Sequence, residues 1–205
     1  MQDAPHFAEW DDARFGAALC EPIGGVRANG PRIIENFLDA AHFPFVHEGV
    51  LGDPHQPQIG DYEAHIGPNG VWSDPVTVYQ PDPYGGSSGQ VQYIYHAYRP
   101  LIAHFTKIAG ATTNGLLLVV TPHDELDSTA WFVVATTALL DRERLGREYT
   151  PRIAAIFEED RAIVEGQRPE LLPLDLQAEL HLRSDRMAIA YRQWLKQLGL
   201  RYGAA

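Results

Sequence analysis

The chain has 205 residues, 45% of them hydrophobic and 21% charged, with a formal charge of −11 at neutral pH. That is enough chain for one sizeable core and little more, and the acidic balance disfavours nucleic acid, whose phosphates need a basic face. A single cysteine, Cys20, excludes an internal disulfide, a zinc site on paired cysteines and any iron–sulfur cluster held by this chain alone.

Residues 1–32 read as an irregular segment, punctuated by Pro5, Pro22, Gly24, Gly25 and Pro31. They show neither a basic n-region nor an apolar h-region, so a cytoplasmic location is expected. Helical character runs from about Ile33 to His42, and "GVLGDPHQPQIGDY" after it is loop. "YEAHIGP" and "VTVYQP" read as a strand pair. "QVQYIYHAYRP" alternates, with Val91, Tyr93, Tyr95 and Ala97 on one face and Gln92, Ile94, His96 and Tyr98 on the other.

"TNGLLLVVTP" and "STAWFVVATT", joined by "HDELD", read as a hairpin. "GLLLVV" is the longest apolar run, far short of the ~18 residues of a membrane span. Two helices close the chain. One covers roughly 150–167; the other covers about 184–198 and buries Ile189, Trp194, Leu195 and Leu198. The expected architecture is α+β, with helices packed on one face of an antiparallel sheet of four to seven strands. "YGGSSG", 84–89, reads as a hairpin tip, not a phosphate loop.

Two segments carry chemistry. In "TPRIAAIFEEDRAIVEGQ", Asp160 falls in a stripe of Ile153, Ile156, Phe157, Ile163 and Val164, while Arg152, Glu158, Glu159 and Arg161 point elsewhere. A carboxylate on a buried stripe costs several kcal/mol unless it is paired, protonated or metal-bound. In "IIENFLDAAHFPFVHEG", His42 and His47 would lie ~140° apart on a regular helix, but Pro44 between them calls for a break that lets both rings face one side. Asp39, three before His42, can back its ring. Two histidines and a carboxylate suit non-haem Fe(II) with open positions. Zinc could use the same ligands, and core histidines with Asp160 paired to an arginine are the structural alternative. His96, Tyr98, His104, Asn114 and Trp131 could line a cavity but read first as core or solvated residues, and Arg192 and Trp194 read as packing and ion-pair residues.

"ENFLDAAHFPFVH" followed by "EEDRAIVEGQRPE" resembles the catalytic domain of Rieske-type oxygenases, in the vanillate demethylase and pheophorbide a oxygenase branch. The family pattern Asn-x-x-Asp-x-x-His-x4-His falls on Asn36, Asp39, His42 and His47, and the late carboxylate on Asp160. The tail "LDLQAELHLRSDRMAIAYRQWLKQL" extends the likeness.

The resemblance implies a helix-grip fold, a curved antiparallel sheet wrapping a long C-terminal helix, with the catalytic domain spanning 33–205. It implies mononuclear Fe(II) on His42, His47 and Asp160, with Asn36 as a weak or outer ligand. Asp39 would be the carboxylate that passes an electron from a Rieske histidine. The activity implied is hydroxylation, or O- or N-demethylation, of a small aromatic or heterocyclic substrate with O2.

The family's Rieske domain is not expected within these residues, either because it has been truncated or because the [2Fe–2S] cluster is supplied by another polypeptide, a Rieske-bearing oxygenase or reductase, as in some methylxanthine N-demethylating systems. A homotrimer or hetero-oligomer is expected. The rival readings are a non-catalytic helix-grip ligand-binding module and a zinc hydrolase.

Overall fold

The structure, a computed structural model, describes residues 6–83 and 87–205. In chain order come α1 (Ala8–Asp11), β1 (Gly16–Leu19), β2 (Ile23–Val26), α2 (Gly30–Phe37), α3 (Phe43–Val46), β3 (Ala64–Gly67), β4 (Gly70–Ser73) and β5 (Val76–Gln80). Then follow β6 (Gly89–Arg99), β7 (Ile102–Ala109), β8 (Thr112–Asp124), β9 (Asp127–Thr136), α4 (Arg142–Gly166) and α5 (Arg186–Leu198).

The strands form one curved antiparallel sheet in the order β1-β9-β8-β7-β6-β4-β3. β2 also pairs with β9, and β5 with β6. α4 packs near β1 and β9, α2 near β8, and α5 near β3 and β4. This is the expected α+β sheet around a long C-terminal helix.

The alternation in β6 holds: Val91, Tyr93, Tyr95 and Ala97 are buried, while Gln92, Ile94, His96 and Tyr98 face outward. The β8–β9 hairpin also forms, its register turning between Asp124 and Asp127.

Other expectations are corrected. The strand containing His65 pairs with β4, and β5 pairs with β6. β4 is short and carries two turn-prone ends, Gly70 and Ser73, which hid it. Residues 16–26, read as irregular, supply β1 and β2, their edge groups taken up by β9. β7 is a further strand, its apolar pattern interrupted by Thr106 and Lys107. Residues 84–86 of the glycine-rich tip lie outside the described residues.

α4 begins at Arg142, not Thr150. Asp141 caps it by accepting from the Glu143 and Arg144 amides, both at 3.0 Å. Glu143–Arg147 and Arg144–Glu148 pairs support its first turns. Burial of Leu145 and Tyr149 then outweighs the bond lost at Pro151. Ile163 on α4 and Leu198 on α5 are exposed, at 41% and 54%, so neither belongs to a buried stripe.

A buried ion network fixes α2 to α5. Arg192, 3% exposed, holds Glu35 and Glu179, and Arg32, 2% exposed, holds the same two carboxylates. Each charge is thereby paired, the condition for tolerating it out of water. Arg192 is thus the ion-pair residue expected of it, and Trp194 is buried beside it on α5.

Candidate metal centre

α2 ends at Phe37, not at His42 as the helical pattern suggests. The reason is Asp39: its carboxylate accepts from the amides of Ala41 and His42, each at 3.0 Å, and closes a turn in place of the next helical bonds. The same carboxylate takes His42 Nδ1 at 2.8 Å. Pro44 then opens α3, where its missing N–H costs nothing, and His47 caps the end of that helix. Two short helices with a turn between them bring the rings to 5.2 Å, centroid to centroid.

Asp160 comes from α4. One of its oxygens, Oδ1, lies 3.0 Å from His47 Nε2 and 3.3 Å from His42 Nε2. One ligand atom from each of His42, His47 and Asp160 lies within 4.8 Å of the others. Two imidazole nitrogens and one carboxylate oxygen brought this close together are a donor set that fits a mononuclear metal.

The groups of this cluster also shift one another's charge. Burial opposes a charge on His42, yet its bonds to Asp160 and Asp39 hold its pKa up at about 9. Burial would raise Asp160, but His42 and His47 hold it well below the usual carboxylate range. Asp39 is likewise lowered, against its burial, by His42 and the two backbone amides.

Glu159 is a correction. It does not point away: its carboxylate meets His47 Nδ1 at 2.6 Å while remaining half exposed. Each histidine therefore presents Nε2 to the common point and has its Nδ1 backed by a carboxylate. Adjacency to Asp160 was the only sequence signal for Glu159, since neighbouring helical positions diverge by about 100°.

The triad opens on a cavity lined by α2, α3, α4 and the concave face of the sheet. Ile33, Phe37, Phe43, Phe105, Leu118, Phe132 and Phe157 make most of its wall apolar. Phe37 and Phe105 stack at 5.2 Å, and Phe43 meets Tyr93 at 5.5 Å. Asn36 lines this cavity and also an outer cleft, where it sits with Asp39 and His42. Asn114, read as core, lines the cavity too, as does Lys107, which the sequence did not single out.

His96, Tyr98 and His104 sit off the cavity. The His96 and Tyr98 rings lie 3.9 Å apart, and His104 faces Glu9 at 3.1 Å. Trp131 donates to Thr121 on the outer surface.

Residues 26–201 match the family described as the vanillate O-demethylase oxygenase C-terminal domain. The chain belongs to that family. It is 32% identical over 206 residues to the "Probable methylxanthine N7-demethylase NdmC" of Pseudomonas sp. (strain TJI-51), covering 97% of this chain and 71% of that protein. It is 26% identical to methylxanthine N1-demethylase NdmA of Pseudomonas putida, covering 96% of this chain and 54% of that one.

The fold matches P. putida CBB5 NdmA with caffeine at a TM-score of 0.77 and 24% identity, over 96% of this chain and 55% of that one. It matches dicamba monooxygenase bound to 3,6-dichlorosalicylic acid at 0.74 and 14% identity, over 95% and 62%. The chain thus spans little more than half of those structures, its likeness confined to Rieske oxygenase catalytic domains. No helix among the described residues is long and apolar enough to cross a membrane.

Proposed function

We propose that these residues form the oxygenase site of a demethylating monooxygenase, taking an N- or O-methyl group from a small aromatic or heterocyclic ring. The observation that carries this reading is the meeting of His42, His47 and Asp160 at an otherwise apolar, ring-lined cavity. His42, His47 and Asp160 hold Fe(II), with Asn36 beside them as a weak or outer ligand. When bound, the iron supplies activation of O2. One oxygen atom enters the methyl C–H bond, the other leaves as water with two electrons and two protons, and the hydroxymethyl product releases formaldehyde.

The protein's own part is positional. Asp39 and Glu159 fix the two rings, so that both Nε2 atoms stay aimed at one point. The phenylalanine walls orient a flat substrate and exclude bulk water. Asp39 lines the outer cleft and also bonds His42, which makes it the bridge between the surface and the triad.

With one cysteine, these residues hold no [2Fe–2S] cluster of their own. The electrons come from a Rieske-bearing oxygenase or reductase docked over that cleft, in a homotrimer or hetero-oligomer. Exposed Leu180 and Ile163 on the cleft's rim suit such a contact.

The test has two parts. His42→Ala, His47→Ala and Asp160→Ala should each lose stoichiometric iron on anaerobic metal analysis; full occupancy in any one removes that residue from the triad. Asp39→Asn should retain iron but lose most of the single-turnover rate when a Rieske donor is present. Equal rates in mutant and parent would shift belief to the ligand-binding module.

A further inference from the structure

The cavity has a second polar patch, away from the triad. Lys107 on β7 and Asn114 on β8 are direct cross-strand partners, so their side chains leave the same face of the sheet about 5 Å apart at Cβ. Both line the cavity, and both are buried, at 6% and 9% exposure. The charge of Arg152 on α4 acts on Lys107, which places this patch near that turn of the helix. From there to Asp160 the helix rises about 12 Å. Ile153, Ile156 and Phe157, on the helical turns between, line the cavity together with Leu116 and Phe105. A ring system of one or two fused rings spans such a gap.

Neither the nitrogen nor the oxygen of the Asn114 amide has a partner among the described residues. Buried amides left with both groups open are rare, and each such case asks what completes it. Lys107 donates to the carbonyl of Pro83 at 2.6 Å, which leaves an ammonium two further donors. The patch therefore offers an acceptor flanked by donors.

A substrate carboxylate would use the donors and leave the Asn114 oxygen buried and unpaired. A hydrocarbon edge would leave all of them so. An imide edge, carbonyl–N–H–carbonyl, answers each: its N–H donates to Asn114 Oδ1, one carbonyl accepts from Asn114 Nδ2, and the other accepts from Lys107 Nζ.

The geometry points to Lys107 and Asn114 as a specificity subsite that selects a heterocycle by its cyclic imide edge and turns the opposite end of the ring toward His42, His47 and Asp160. The orientation rests on the oxygenase reading above; recognition of the edge does not.

Calorimetric titration with two purinediones tests the subsite. Theobromine carries hydrogen on the ring nitrogen between its carbonyls, and caffeine carries a methyl there. The full chain, with and without iron, should bind theobromine more tightly by about tenfold or more, because a site built for a hydrogen bond rejects the analogue lacking it. Asn114→Leu should bring the two affinities within about twofold of each other by weakening theobromine, which loses the N–H bond as well as a carbonyl bond, far more than caffeine. Lys107→Met should weaken both, since both rings keep their carbonyls.

If Asn114→Leu does not fold by circular dichroism, Asn114→Ala serves, because it removes the acceptor with less change of shape, and should cut the preference. Equal affinities in the parent protein overturn the proposal. So does a preference that survives either Asn114 variant, or no binding of either ring. Iron content measured on the same samples separates the two ideas: iron bound without imide preference sinks the subsite alone, and imide preference without iron sinks the oxygenase reading alone.

Discussion

Each imidazole of the triad is held from behind, and the two supports differ in exposure. Asp39 is three-quarters buried at its side chain and also closes the turn before His42; Glu159 is half exposed and touches His47 from the solvent side. Glu159 is therefore the carboxylate that can be removed with least damage to the fold. Glu159→Ala should leave the protein folded and lower iron affinity about 10- to 100-fold, as losses of such ring-orienting partners do. Glu159→Gln should fall between, because its amide oxygen can still accept from Nδ1. Competition with a chelator reads both, and parental affinity in Glu159→Ala would deny it that role.

Lys107 offers a second measurement at this scale. Burial pushes its pKa down to about 7, with Arg152 adding to the fall and Asp82 opposing it. The unfolded chain, with an ordinary lysine pKa near 10.5, then binds more protons than the folded one between those values, so stability rises with pH across that window. From pH 7 to pH 9 the gain should be about 2 kcal/mol. Lys107→Met should lose this slope in urea unfolding run at several pH values; an identical slope would place the charge elsewhere.

Among the elements, the turn between α2 and α3 decides whether a site exists. A continuous helix would have carried His42 and His47 to different sides. Asp39 stops the first helix and Pro44 starts the second. The loop after His47 then folds back: the Gly49 amide donates to Gly52 O, and the Gly52 amide to His47 O. A Cβ on Gly52 would stand 2.4 Å from Pro44 N and 2.5 Å from its Cα. That neighbour is backbone and cannot step aside, so Gly52→Ala should push the loop off α3 and loosen His47. The expected result is a stability loss of about 1–3 kcal/mol with weaker iron binding. Unchanged stability would mean that the loop moves freely and does not brace the ligand.

Across the whole molecule, the candidate metal ligands sit on segments held together by charge as well as by apolar packing. Arg192 on α5 and Arg32 on α2 share Glu35 and Glu179, and the network lines the same outer cleft as Asp39. Truncating one member strands its partners out of water. Arg192→Ala should cost about 3–5 kcal/mol in denaturant unfolding, because it leaves the carboxylates of Glu35 and Glu179 to the single charge of Arg32. A loss under about 1 kcal/mol would show that water reaches that carboxylate.

What the sequence by itself determined was order, spacing and residue chemistry. The Asn36–Asp39–His42–His47 spacing, the apolar setting of Asp160, the alternation of β6 and the β8–β9 hairpin are local patterns, and local patterns survive without knowledge of the fold. The resemblance carried by those motifs also pointed to the family and its sheet-and-helix architecture. Tertiary structure decided which distant groups meet. His47 and Asp160 are 113 residues apart in sequence, and Glu159 beside His47, β4 beside β3, and Lys107 opposite Asn114 all depend on how the sheet curves and where α4 crosses it. Helix ends shifted for the same reason: Asp39 and Asp141 bond backbone amides in competition with the apolar period, and burial of Leu145 and Tyr149 carries α4 through a proline. Periodicity records which face of an element is apolar; only packing says what that face will touch.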